Sequence, residues 1–326
     1  MAESSRPART PTDAAAGSHR RGTEAPPPAV AAGESFFGRL GASLRGVDLV
    51  ALLAVPAALV ATFALPTDAR LELAFSYADP TLYTAFESNF LHLAAPHLLF
   101  NLGLYALVVP TAYLLSVLGD NREEFYAAFV TFLFVLPVVL SALNLAVPRA
   151  GLSLGFSGIN MAFVGYLPVA LAGYLRHNFG VAGDRQLSGG LFFAGLALVA
   201  VLSVRTTVTY AVAGVAALAA LASLRAAVTG GTRRPGSGWS LGSGGYLELA
   251  AVAVLLFAGG LAAAFPLDPV VDGTVVNVYT HFLGLSLGFL STYLTVQVAP
   301  AVEDSRPVVA VRGLSSAPSG TPDDAS

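Results

Sequence analysis

Three short segments hold the side chains that could do chemistry in an otherwise apolar chain. His92, His97 and Asn101 fall in the run HLAAPHLLFN, where His97 and Asn101 are four residues apart and share one face of a helix. In Gly155-Phe156-Ser157-Gly158 a hydroxyl sits among small residues that permit close backbone approach. His281 is followed by Gly284 and Gly288 at i+3 and i+7, so an imidazole shares its helical face with a small-residue packing surface. A hydroxyl, imidazoles and a carboxamide are the groups that acyl transfer requires: a nucleophile, a proton acceptor and donors for an oxyanion. Each segment also has a plain packing reading. His and Asn hydrogen-bond across membrane helices, Gly and Ser fill helix interfaces, and a buried His is often satisfied by structure alone.

The elements that must position these groups follow from composition. Of 326 residues, 55% are hydrophobic and 11% charged, and the mean hydropathy is +0.69, whereas soluble domains carry about 25% charged residues. This argues against an ordinary soluble enzyme. Every basic residue is Arg, the formal charge is −3, and no basic patch suggests nucleic acid. With no Cys, disulfides, zinc–thiolate sites, iron–sulfur clusters and a Cys nucleophile are excluded. Neither a metal nor another cofactor is expected.

A spanning helix needs about 20 apolar residues. Eight runs come close, at 48–65, 97–118, 125–146, 156–175, 188–204, 206–226, 246–265 and 278–298. Only Arg205 separates the fifth and sixth, but one helix over both would be roughly 58 Å long, more than a bilayer accommodates. Two spans with a tight turn are therefore predicted. Of the 17 basic residues only Arg70, Arg149 and Arg205 fall on the side opposite the N-terminus. By the positive-inside rule, both termini of a multi-pass cell-membrane protein are then cytoplasmic. Residues 1–46 and 300–326 are expected as disordered cytoplasmic tails, 47–299 as the transmembrane domain, and 229–245 as a cytoplasmic linker. The first span lies too deep for a secretory signal and is expected to be retained. The external loop 66–96 holds Phe75, Tyr77, Tyr83, Phe86 and Phe90, suited to the membrane interface. No internal repeat is convincing, which weighs against an inverted-repeat transporter. With an odd number of crossings between the fourth and eighth spans, Ser157, His281, His97 and Asn101 all fall at outer helix ends.

The pattern His92-x4-His97-x3-Asn101, then Gly155-x-Ser157-Gly158, then His281-x2-Gly284-x3-Gly288 resembles the signature segments of the rhomboid family of intramembrane serine proteases, in that family's order. The resemblance covers roughly residues 48–175 and 278–298. It implies an all-α polytopic membrane protein with a rhomboid-like helical bundle of about eight spans, a six-helix core plus two additional. It also implies Ser157 as nucleophile and His281 as general base, a dyad without an acidic third member. His97, Asn101 and the Ser157 backbone N–H would form the oxyanion hole, with His92 beside it at the cavity mouth. Gly155, Gly158, Met161, Gly284 and Gly288 would support them. Met161 stands where the family often has a Tyr, and its polarizable sulfur can pad an imidazole. Tyr83-Thr84 stands where bacterial relatives often have Trp-Arg. The expected activity is a serine-type endopeptidase that hydrolyses single-pass transmembrane proteins near the outer face of the lipid bilayer, where Gly, Ala or Ser lets a substrate helix unwind. Two alternatives stay open: an inactive rhomboid-like protein that binds transmembrane clients, and a transporter. The second calls for acidic residues within spans, and Glu248 lies only at the inner end of the seventh run.

Overall fold

A chain in hydrocarbon must satisfy its backbone internally, so the apolar runs become helices. The computed structural model describes residues 35–147, 150–181, 183–203, 206–229, 244–268, 270–271 and 274–304. Along them run α1 (Phe36–Ser43), α2 (Gly46–Phe63), α3 (Thr67–Glu72), strand β1 (Phe75–Ser76), α4 (Leu82–Glu87), a 3-10 turn (Ser88–Phe90) and α5 (Ala95–Leu118). Next come α6 (Arg122–Phe134), α7 (Leu136–Asn144), β2 (Leu152–Ser153), α8 (Ser157–Phe179), α9 (Asp184–Leu202) and α10 (Thr207–Thr229). The last elements are α11 (Tyr246–Ala264), β3 (Val270–Val271), β4 (Thr274–Val275) and α12 (Val278–Asp304). β1 pairs antiparallel with β2, and β3 with β4.

This is an all-α polytopic membrane protein. Among the described residues α2, α5, α8, α9, α10 and α11 are each long and apolar enough to span a membrane, and α6 with α7, bent by 47°, passes as a seventh. The bend falls at Val135, two residues before Pro137, whose ring cannot continue the backbone ladder. The eighth expected run lies on α12, which is not among those six.

Three expectations need correction or extension. Residues 36–43, read as part of the N-terminal tail, form α1. Ser35 Oγ caps the helix by accepting from the Gly38 N–H at 3.1 Å, and Phe36 packs edge-on against Tyr246. The loop 66–96 is built from α3, β1, α4 and the 3-10 turn. At the other end, α12 continues to Asp304, past the expected boundary at 299. Residues 1–34 and 305–326, and all but the ends of the expected linker 229–245, lie outside the described residues.

α8 is the central element, with every residue from Gly158 to Tyr174 buried. α5, α9, α11 and α12 pack around it. Its tightest partner is α12. A β-carbon at Gly284 would run into the Gly158 carbonyl oxygen, one at Gly288 into that of Ala162, and one at Gly165 into that of Leu285. Pairing 158 with 284 and 162 with 288 means the two helices run parallel. At the end away from these glycines, buried Asp48 accepts from Arg122, Tyr113 and Tyr126, while Arg122 also donates to the Ser43 carbonyl. This cluster ties α2, α5 and α6 to the end of α1.

The parallel contact is tested by Gly288→Val, which overpacks the crossing two turns from His281. Overpacking typically costs about 1–3 kcal/mol, so a thermal midpoint several degrees below wild type is expected in detergent. An unchanged midpoint would show that the helices are not in contact there.

Candidate functional site

Three helices begin at one place. Ser157 is the first residue of α8, His97 the third of α5 and His281 the fourth of α12. The first backbone N–H groups of a helix lack intrahelical acceptors and carry the positive end of the helix dipole, so a developing anion is favoured here. In α8 the Asn160 N–H already bonds the Phe156 carbonyl at 3.0 Å, so the amides of Ser157 and Gly158 belong to that unpaired first turn.

The turn into α8 depends on Gly155. Its φ is +120°, a region that side chains rarely adopt. Its N–H donates to the Ser88 carbonyl at 2.9 Å, which fastens the turn to the 3-10 segment. A β-carbon there would lie 2.7 Å from Cε1 of His97. The absence of a side chain therefore lets the His97 ring rest against the backbone two residues before Ser157.

Close approach also sets the level of Ser157 relative to His281. A β-carbon on Gly158 would come within 2.7 Å of Thr280 Cγ2, and one on Gly284 would strike the Gly158 carbonyl. Gly158 thus sits between residues 280 and 284, which bracket His281 on its helix. Met161, expected beneath the imidazole, packs at Gly284, with its Cβ 3.2 Å from where a β-carbon would stand.

His281 is 6% exposed, and its Nδ1 lies 2.8 Å from the Ala264 carbonyl oxygen. A carbonyl only accepts, so Nδ1 carries the proton and Nε2 keeps a lone pair. Phe265 closes on the ring edge-on. The start of α12 is held to α7 by Asn144 Nδ2 donating to Thr280 Oγ1 at 2.8 Å and by Asn277 Nδ2 donating to Asn144 Oδ1 at 3.1 Å. Asn277 Oδ1 accepts from the Thr280 N–H, capping the helix.

Asn101 is wholly buried. Its Nδ2 donates to the His97 carbonyl at 3.0 Å, which uses one of two amide hydrogens. The His92 ring stands edge-on to that of His97, with centroids 4.9 Å apart. His92 was expected at the cavity mouth, but it is 0% exposed. Arg70, itself buried, donates to the His92 carbonyl at 2.6 Å and fixes the strand of chain beneath it. Ser157 and His97 are half-buried, so the site opens on their side. Among the described residues no hydrogen bond joins Ser157 Oγ to His281, and catalytic contacts commonly tighten only with substrate bound.

The site therefore gathers His97 with Gly155, His92 with His97, and Gly158, Met161 and Gly284 around the turn that carries His281. Sequence reading missed Asn160, Thr280, Asn144, Asn277, Arg70 and the Ala264 carbonyl. Asn160 had a usable signal, a carboxamide three residues after Ser157 in an apolar run. The Ala264 carbonyl had none, because a backbone acceptor carries no residue type. Among the described residues no cluster of His, Asp or Glu could hold a metal ion. Comparison with protein-family models, with curated proteins and with solved structures gives no match.

Burial pushes the His92 imidazole down to about 3, with the nearby His97 adding to the effect. A His with a lowered native pKa favours the neutral form. The unfolded chain binds the extra proton below its own value near 6.5, so this stabilisation is complete above pH 6.5 and fades as pH falls toward 3. The thermal midpoint should fall between pH 6.5 and 4, and His92→Gln should flatten that slope. An identical slope in the variant would remove His92 as its source. Gly155→Ala should lower the midpoint at every pH through strain and the clash with His97.

Proposed function

We propose that this chain is an intramembrane serine endopeptidase of the rhomboid type, acting through Ser157 and His281. The observation that carries the reading is the bracketing of Gly158 by Thr280 and Gly284, with His281 tautomerised by the Ala264 carbonyl so that Nε2 is free to accept a proton. A Ser hydroxyl needs such a base at neutral pH. Nε2 takes the Ser157 proton as Oγ bonds the peptide carbonyl carbon. Negative charge then develops on the carbonyl oxygen. His97, the remaining Asn101 amide hydrogen and the Ser157 N–H are the donors available for it, each worth roughly 10²–10³ in rate. The imidazolium returns its proton to the departing amine as the C–N bond breaks, leaving an ester on Ser157. Water then attacks that ester with His281 again as base.

Water reaches membrane depth only through a polar opening. The half-exposed Ser157 and His97 supply its polar lining. The substrate is a single-pass transmembrane protein cut near the outer face, where its helix unwinds at Gly, Ala or Ser. The Arg distribution supports cytoplasmic termini and a site at the outer side of a cell membrane. The eight-span count rests on α12 being added to the seven apolar spans. Cofactors play no part in these steps.

The test is labelling of detergent-purified protein with a fluorophosphonate, which reports an activated Ser. Wild type should label, Ser157→Ala should not, and His281→Ala should label at least roughly 10²-fold more slowly, as expected for loss of a general base. Labelling that persists in Ser157→Ala removes that residue from the mechanism. Folded wild type that does not label points to a client-binding protein instead.

A further inference from the structure

We infer that Asn160 is a positioning residue that sets the orientation of the Asn101 carboxamide, and with it the oxyanion donor. This rests on the proposed Ser157–His281 chemistry. Asn160 lies one helical turn after Ser157 on α8 and is 0% exposed. Its Nδ2 donates to the Asn101 backbone carbonyl at 3.0 Å and to Asn101 Oδ1 at 3.1 Å. Both amide hydrogens of Asn160 are thereby committed to one residue of α5. The assignment is forced, because a flipped Asn160 would face two acceptors with its own oxygen.

The consequence falls on Asn101. With its Oδ1 held by Asn160 and one Nδ2 hydrogen held by the His97 carbonyl, the carboxamide cannot rotate. Its second Nδ2 hydrogen has one fixed direction. Without Asn160 the Asn101 oxygen loses its donor, and the amide is free to turn about its terminal torsion, which is intrinsically broad.

A purely structural role explains less. Asn160 Oδ1 is buried and has no hydrogen-bond partner among the described residues, which is a cost that an apolar side chain would avoid. Asn at this position is therefore explained by what its Nδ2 donates to. An apolar residue would fill the same space at the α5–α8 contact but would leave Asn101 unheld.

The experiment is a double-mutant cycle on the purified full chain with the fluorophosphonate probe, using Asn160→Leu and Asn101→Ala singly and together. The probe's phosphoryl oxygen takes the place of the oxyanion. Displacing a group by about 1 Å can cost about 10²-fold, so Asn160→Leu should lower the maximal labelling rate roughly 10- to 100-fold. The half-saturating probe concentration should not change. In the Asn101→Ala background the same substitution should have almost no further effect. An equal fold-loss in both backgrounds, or no loss in either, overturns the inference. Thermal midpoints identify variants that fold, and Asn160→Ser, too short to reach Asn101, serves as the second variant if Asn160→Leu does not. Wild type that fails to label overturns the proposed chemistry itself, and that result is visible before any Asn160 variant is compared.

Discussion

The close parallel crossing of α8 and α12 is the constraint on which the site depends. Lipid tails are as apolar as Leu, so no hydrophobic force drives these helices together; contact area and weak Cα–H···O bonds do, and both grow as backbones approach. Glycine at 158, 165, 284 and 288 permits that approach. Direction matters as much as distance. An antiparallel partner with the same surface would put the start of its helix at the far end of α8, about 35 Å away for 23 residues. The parallel arrangement puts both N-terminal turns at one level, where Gly158 has Ser157 beside it in sequence and Thr280, the residue before His281, against it in space.

Close packing alone would leave the polar groups at that level free to rotate. Low dielectric opposes this, since a buried donor or acceptor without a partner is costly and several of these groups therefore settle into fixed pairings. His281 Nδ1 is committed to Ala264, Thr280 and Asn277 to Asn144, and Asn101 to His97 and Asn160. His281 Nε2 and one Asn101 hydrogen are left over by these pairings, while both His92 ring nitrogens and Asn160 Oδ1 are buried without a hydrogen-bond partner among the described residues. The same rule operates at the opposite end, where Asp48 collects Arg122, Tyr113 and Tyr126. Between the two ends lies an aromatic core in which Tyr105, Phe156 and Phe163 meet at edge-on angles. Polar locks at both ends and interlocking rings in the middle hold the bundle stiff around the candidate site.

Helix positions were legible because hydrocarbon thickness imposes a length that apolar runs display openly. The candidate site residues were legible because a His, Asn or Ser at membrane depth is conspicuous against Leu and Val. What escaped was of two kinds. Some elements lack a span-length signal: α1 is eight residues held by a Ser35 cap and Phe36 packing, and α3 and α4 are short helices inside a loop. Others depend on three-dimensional neighbours. Nothing in the residue types near 264 announces that its carbonyl will fix a tautomer, and His92 is buried beside neighbours distant in sequence such as Arg70, which bonds its carbonyl. Asn160 belongs to neither kind. The rule that singled out Asn101 applies equally to it, and its value emerges only once its partner is known to be Asn101.

The pair α9 and α10 shows why additional helices leave the site undisturbed. Gly190 meets Leu224 and Gly183 meets Ala227, so the pair is an antiparallel hairpin whose chain returns to the end where it started. Any such even-numbered addition between α8 and α11 preserves the direction of α12, and the parallel crossing survives it. α9 also fills space that lipid would otherwise occupy. Phe192 stacks on Phe289 of α12 at 3.9 Å, and Gly195 seats against Phe257 and Leu261 of α11. α10 then lies against α9 through Ala213, Ala216 and Ala220, small residues that give a close but shallow contact, while Val208, Val215 and Leu218 stay exposed. Through Phe192, α9 thus meets α12 at Phe289, level with Gly165 and Gly288 at the end of the glycine crossing away from Ser157. It adds to the contact that sets the level of His281 and contributes no residue to the candidate site.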